Sequence, residues 1–566
     1  MSRPNRPSNR ANRDTLAIAT LIVALASASC TLFSQTIKTG GETQLAPTPV
    51  ATKTGQPDVR VIVFALDGTT PAQLMSAVGS GQAPNLHALL GASRGSGLFE
   101  HAYAATHATS VLPSSTIADW SAMFTGSAPA ENGVTGDEWF ERESDTFFAP
   151  VPVSVDDITD NTKTVTDDLV GHELHVQTVF ERLHVKSFVS LLSVHRGATY
   201  YTTVSPTSFG DMITHLIRGS LLYGAGPEKS LSAAVDHDSA EKIVETIEEH
   251  GVPDLQVAYF PGIDIFTHEA NPPLGKQMNY IERVTDPAVG LILDEYRKKQ
   301  ALDNTYVIII ADHAQIPTLA DEQHELGTDD NSPFAAVRSA GFRVRKPALA
   351  VTGLDRDYQA VLAYQGFMAY VYLADRSTCR NEHQGCDWTR PPRFEEDVIP
   401  VLKALYSSNK RGRPVSKLKK TIDLIFARQP VRKGRSTLPY QIFDGRNLIA
   451  IDDYLIDHPR PDLVDLAQRM DWLSAGPYGD RAGDILLLAK GCTNLPMQQR
   501  YYFAAMTHYT WHGSACEQDS HIPFILAQAG GSGERMKEIM QHFGGDSPSE
   551  RELTPLLISL FRPTAK

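Results

Sequence analysis

The sequence predicts an α/β fold, built on one wound, mostly parallel sheet with helices on both faces and large insertions. Three observations carry that expectation. Nearly continuous apolar runs recur at 59–66 (VRVIVFAL), 255–260 and 305–311, as in strands buried on both faces. Helical patterns lie between them, and alternation of the two element types favours parallel pairing. Acidic residues and histidines stand where these runs end, and ligands of open parallel sheets bind beyond the carboxyl ends of the strands.

Taken in order, the first run ends in Asp67-Gly68 and gives way to helical segments at 71–78 and 84–90. A helix at 178–183 precedes a strand at 187–194, and a helix at 242–250 precedes the strand at 255–260. A longer helix at 280–300 leads into the strand at 305–311, and the sheet is expected to resume at 484–488 (DILLL) and 522–526 (IPFIL). Segments 141–175 and 375–470 break the rhythm and read as insertions. The organisation expected is a signal-like segment at 1–30, a flexible tether at 31–57, one elaborated domain over 58–535, and a tail at 536–566 packing on it. No repeat period is present.

Composition narrows the class. Apolar residues make up 42% and charged residues 21% of the 566, which excludes a mostly disordered chain, a collagen-like fibre and a multi-span membrane protein. The net charge of -14 argues against a nucleic-acid binder. One stretch runs the other way: residues 410–435 hold ten Lys or Arg against the single acid Asp423. It reads as a solvated helix and loop, or as a patch that attracts phospholipid head groups or an anionic substrate.

The chain opens like an exported protein. Arg3, Arg6, Arg10 and Arg13 precede an apolar stretch at 16–26, followed by Ser27, Ala28, Ser29 and Cys30. That is the pattern of a signal peptide, too short for a typical spanning helix. Cys30 after small residues resembles a bacterial lipoprotein box, with Ser27 where such signals usually carry Leu. An uncleaved anchor over 15–30 is the alternative, and either way the bulk of the chain is expected in the periplasm or at the cell surface. Of the other cysteines, Cys379 and Cys386 read as a short looped disulfide and Cys492 and Cys516 as a second. Four cysteines allow three pairings, and none has the spacing of a structural zinc site.

Separate segments deliver Asp67, Asp264, His268, Asp312, His313 and His512 toward the strand ends. Mixed oxygen and nitrogen donors favour zinc, with iron or manganese as alternatives, over calcium or magnesium. The ordered set Asp67-Gly68, Pro113 to Thr116, Thr125-Gly126, Pro129, Gly133-Val134, Asp264 to His268, Asp312-His313 and His512-Gly513 resembles the alkaline phosphatase superfamily. Within it, the match is to the type I phosphodiesterase/nucleotide pyrophosphatase branch, over about 59–320 and 475–530.

The resemblance implies an alkaline-phosphatase-like catalytic domain with Thr116 as nucleophile and two divalent metal ions. One ion would be held by Asp67, Asp312, His313 and the Thr116 oxygen, the other by Asp264, His268 and His512. It implies hydrolysis of a small-molecule or lipid phosphate ester, a diester or nucleotide pyrophosphate first, through a phosphothreonine. Three positions depart from the branch: Asp137 and Asp119 stand where Asn is usual, and Ala314 stands where Gly is usual. Asp137 is the candidate substrate-binding position, where a carboxylate in place of an amide removes a donor. The competing readings are a phosphomonoesterase, a phospho-group transferase, and a binding protein that keeps the fold without the chemistry. The sequence leaves the oligomeric state open.

Overall fold

The computed structural model describes residues 42–44 (backbone only), 59–155, 157–203, 227–346, 357–379, 385–429 and 438–562. Its central sheet has ten strands, in the spatial order Glu42–Gln44, Tyr200–Thr202, Ser187–Ser190, Leu255–Phe260, Arg60–Leu66, Thr305–Ile310, His521–Gln528, Ala102–Thr109, Leu98–Phe99 and Ser93–Gly95. The block from Tyr200–Thr202 to Thr305–Ile310 pairs in parallel throughout. The flanks pair antiparallel, yet seven of the ten strands point the same way once the pairings are followed across the sheet.

The apolar runs are continuous because both faces are covered. Along Arg60–Leu66, Val61, Val63 and Ala65 enter one core while Ile62, Phe64 and Leu66 enter the other. Full burial of each large aliphatic or aromatic side chain contributes roughly 1.5–3 kcal/mol, so the strand is held from two sides. Helices Leu231–His250 and Asp286–Lys298 pack together on the second face. The C-terminal helix Leu553–Phe561 packs on the first, against helices Thr116–Thr125 and Val179–Leu183. The 280–300 segment is not one α-helix: a π turn at Ile281–Thr285 interrupts it. Beyond the turn, Asp286 accepts the backbone amides of Asn85 and Leu86.

One expectation is overturned. The 484–488 run does not rejoin the central sheet. Ile485–Ala489 lies inside a second sheet of six antiparallel strands, between Met368–Leu373 and Ile422–Ala427. A buried run is apolar on both faces in whichever sheet it joins, so its pattern does not name its neighbours. This second sheet carries its own core, from Phe334 through Tyr372 to Leu488, and helices Pro333–Ser339 and Ile399–Arg411 pack together beside it.

Both cysteine pairs are disulfide-bonded, Cys379 to Cys386 and Cys492 to Cys516. Among the described residues no helix is long and apolar enough to cross a membrane. The 1–30 segment and Cys30 lie outside the described residues, as does most of 31–57; within the latter, Glu42–Gln44 pairs antiparallel with Tyr200–Thr202.

Candidate active site

Three adjacent parallel strands end at the site. Asp67 follows Arg60–Leu66, Asp312 and His313 follow Thr305–Ile310, and helix Gly262–Glu269 starts just after Leu255–Phe260. On that helix Asp264 and His268 are four residues apart and share one face. Thr116 opens helix Thr116–Thr125. His512 follows the short strand Thr510–Trp511, which pairs with Ile316–Pro317 just beyond His313.

The structure brings these residues into two groups. Asp67, Asp312 and His313 offer ligand atoms within 4.8 Å of one another, and so do Asp264, His268 and His512. In the first group Nε2 of His313 lies 3.2 Å from Thr116 Oγ1 and 3.5 Å from both Asp67 Oδ1 and Asp312 Oδ2. In the second, His268 Nε2 is 3.3 Å from Asp264 Oδ2.

The glycines of the two motifs have physical reasons. Gly68 adopts φ +59°, and a Cβ there would overlap the Asp264 carboxylate and the Gln315 amide. Gly513 adopts φ +96°, and a Cβ there would overlap the Gln365 carbonyl, at the hairpin between Ala360–Gln365 and Met368–Leu373. Beside it Phe367 N–H donates to the His512 carbonyl at 2.9 Å. The second sheet therefore forms the seat on which His512 is presented.

Whether the residues fit metal ions is decided by what their remaining atoms do. Each histidine has Nδ1 against a backbone carbonyl: His268 on Thr510 at 2.8 Å, His512 on Ser114 at 3.0 Å, and His313 on Ala314 at 3.2 Å. That leaves Nε2 of all three for the site, the arrangement by which proteins orient metal-binding imidazoles. Asp67 Oδ1 and Asp312 Oδ2 are buried without a hydrogen-bond partner among the described residues. Leaving such atoms unmet is costly, and a cation would meet them. The donor set fits.

The electrostatics agree. Burial, then the neighbouring carboxylates Asp312 and Asp264, push the Asp67 carboxyl well above its ordinary range. Burial likewise raises Asp312. Asp264 ends below its ordinary range, because burial is outweighed by His268, with His512 and His313 beyond it. Burial and the adjacent His313 hold His512 well below the usual imidazole range, so it is neutral and its ring nitrogen is available as a donor atom.

The departures are placed as follows. Asp137 is buried, its Oδ1 accepts the Ile117 amide at 3.0 Å, and its own amide donates to Gln365 Oε1 at 2.7 Å. Burial pushes its carboxyl up to about 7. Asp119 is wholly buried one turn into the helix, and burial with Glu550 beside it raises its carboxyl well above the usual range. Ala314 is held by the Asp519 carbonyl at 2.9 Å.

Spacing gave no sign of several supporting residues. Tyr259 donates its hydroxyl to Asp67 Oδ2, and Gln315 donates to Asp264 Oδ1. The His508 ring sits 5.2 Å from the His268 ring. The basic stretch 410–435 is described up to residue 429. Its Lys417 and Lys419 line a mixed-charge cavity of about 990 Å³ with Glu322, Glu325, Asp329 and Tyr501. Thr507, which also lines it, precedes His508.

No curated protein matches the sequence. Among solved structures, the chain is similar to the murine and human ectonucleotide pyrophosphatase/phosphodiesterase 5. Each is 13% identical over 90% of this chain and 96% of that one, with TM-scores of 0.48 and 0.49. It is also similar to phosphonoacetate hydrolase from Sinorhizobium meliloti in complex with phosphonoformate, at 16% identity over 92% of this chain and 100% of that one, with a TM-score of 0.45. Residues 61–385, more than half of the chain, match the profile of a family of phosphoryl hydrolases. On that match the chain belongs to the type I phosphodiesterase/nucleotide pyrophosphatase family.

Proposed function

We propose that the protein hydrolyses phosphodiester or nucleotide pyrophosphate bonds with Thr116 as nucleophile and two divalent metal ions, zinc first, held by the two residue groups. The observation that carries the reading is the convergence of Thr116 Oγ1, Asp67 Oδ1 and Asp312 Oδ2 on Nε2 of His313, with Asp264, His268 and His512 alongside. Bound divalent ions would lower the pKa of a hydroxyl and of water and neutralise charge on the transferring phosphoryl group.

The chain's own part follows from its geometry. Thr116 stands at a helix start, so the positive end of the helix faces the phosphoryl oxygens. Its Oγ1 forms the new P–O bond as the ester bond to the leaving oxygen breaks, and water then cleaves the phosphothreonine and restores the hydroxyl. Tyr259 and Gln315 hold the Asp67 and Asp264 carboxylates in place. Burial excludes bulk water from Asp312 and His313, which are wholly inaccessible.

The test is turnover of a phosphodiester, a phosphomonoester, a phosphonate ester and a sulfate ester, each with and without added zinc. Zinc-dependent preference for the diester supports the reading. A monoester preference or transfer to an added alcohol selects a competing activity of the same site, and no turnover of any ester overturns it.

A further inference from the structure

Arg469 lies in helix Leu466–Ser474, is wholly buried, and takes no part in either ligand group. A guanidinium in the interior is costly unless its charge and donors are met. Asp519, Asp119 and Glu550 face it; burial raises Asp119 and Glu550 well above the carboxylate range but Asp519 only to about 6, so Asp519 carries opposing charge at neutral pH.

Its Nη2 reaches the segment that leads to Thr116, while Nε has no hydrogen-bond partner among the described residues. Nη2 donates to the Val111 carbonyl at 2.9 Å, Ser114 Oγ at 2.9 Å and Ser110 Oγ at 3.2 Å. Nη1 donates to Ser520 Oγ at 2.8 Å and the Val464 carbonyl at 3.2 Å. Residues 110–115 belong to neither a strand nor a helix, so their polar groups need partners from outside the segment. Arg469 supplies three of them from a helix 355 or more residues further along the chain.

Ser114 is where this bears on the chemistry. Its Oγ donates to the Ser514 carbonyl at 2.8 Å, and its own carbonyl accepts His512 Nδ1 at 3.0 Å. One residue thus touches the Arg469 fork and the orienting bond of His512, two positions before Thr116.

We infer that Arg469 is a positioning residue of the hydrolase: through Ser114 it sets the Thr116 hydroxyl against His313 and the ring of His512 together. The inference rests on the hydrolase reading above. A planar fork meets the loop through Nη2 and Ser520 and Val464 through Nη1 at once, where a single lysine ammonium nitrogen would not reach both sets. Misplacing a nucleophile by about 1 Å costs on the order of 100-fold in rate.

The experiment compares the full chain with Arg469→Ala, Arg469→Lys and Ser114→Ala, reading kcat, KM, thermal midpoint and zinc affinity by calorimetric titration of chelator-treated protein. Ser114→Ala keeps the carbonyl that binds His512 and settles the matter if the arginine variants do not fold. Expected are a kcat loss of about 100-fold in Arg469→Ala and Arg469→Lys with KM within about threefold, and about 10-fold weaker zinc binding. Added guanidinium is expected to restore kcat in Arg469→Ala while leaving Thr116→Ala inert. Wild-type kcat per folded molecule in either arginine variant, or in Ser114→Ala where those do not fold, overturns the inference while leaving the hydrolase reading intact. A wild type that binds no zinc and turns over no ester overturns both.

Discussion

The imidazoles of His313 and His512 lie face to face, with ring centroids 3.6 Å apart and planes 12° from parallel. They belong to different ligand groups and are 199 residues apart in the chain, so the stack is the wall the two groups share. A displacement of either ring is felt on both sides of it.

Thr116→Ala removes the hydroxyl 3.2 Å from His313 Nε2 and leaves the ligand carboxylates and imidazoles in place. Turnover is expected to fall by several orders of magnitude, with folding kept and no phosphoprotein trapped on quenching with substrate. Near wild-type turnover would remove Thr116 from the mechanism.

His512→Ala opens one wall of the second group while the first keeps its carboxylates. Elemental analysis at matched protein concentration is expected to show loss of about one of two metal equivalents, together with activity. Two tightly held equivalents and unchanged turnover would return His512-Gly513 to an ordinary turn.

Asp236 tests the pH behaviour of the helix that carries Asp264 and His268. Its carboxyl accepts the Gly262 amide and the Tyr280 hydroxyl, each at 2.9 Å, and burial pushes it up to about 7. Folding therefore favours the protonated form. The stability this contributes is fully present below about pH 4, near the unfolded value, and is lost as pH rises through about 7. Asp236→Asn mimics the protonated acid, so its thermal midpoint is expected to fall less than that of the wild type between those limits. The difference between the two curves isolates Asp236 from the other buried acids, and superimposable slopes would disprove its role.

The Cys492–Cys516 bond closes a 24-residue separation that includes His508 and His512. The double variant to alanine is expected to lose about 3 kcal/mol of stability and to bind zinc more weakly in the second group. Unchanged melting and zinc titration would show that the loop is held by packing alone.

Export remains a proposal that fractionation can decide. The expected outcome is processing near Cys30 and membrane association that Cys30→Ser abolishes while leaving the domain outside the cytoplasm. A full-length N-terminus in the soluble cytoplasmic fraction would refute it.

The sheet centre was legible because burial on both faces imposes continuous apolar runs, and Leu255–Phe260 has the bounds its run predicts. The residues of the two candidate groups stood out because they follow strand ends, and their order along the chain resembles the family's. What the sequence hides is partnership. The 484–488 run gave no hint of its second sheet, and the turn at Ile281–Thr285 keeps a helical period through its extra residue. Tyr259, Gln315 and Arg469 act through bonds to residues far away in the chain, which no local pattern records.

The placement of His521–Gln528 has a consequence for how the molecule comes into being. This strand is nearly the last to be synthesised, yet it lies between Thr305–Ile310 and Ala102–Thr109, in the middle of the sheet. Until it arrives, two strand edges stand open and vulnerable to wrong pairing, and sequence-distant closures of this kind are slow. The same late stretch brings His512. A nascent chain therefore carries Thr116 for 396 residues, and the complete group of Asp67, Asp312 and His313 for 199 residues, before His512 joins the second group. The residue that joins the second group and the strand that fills the sheet thus enter the chain nine residues apart.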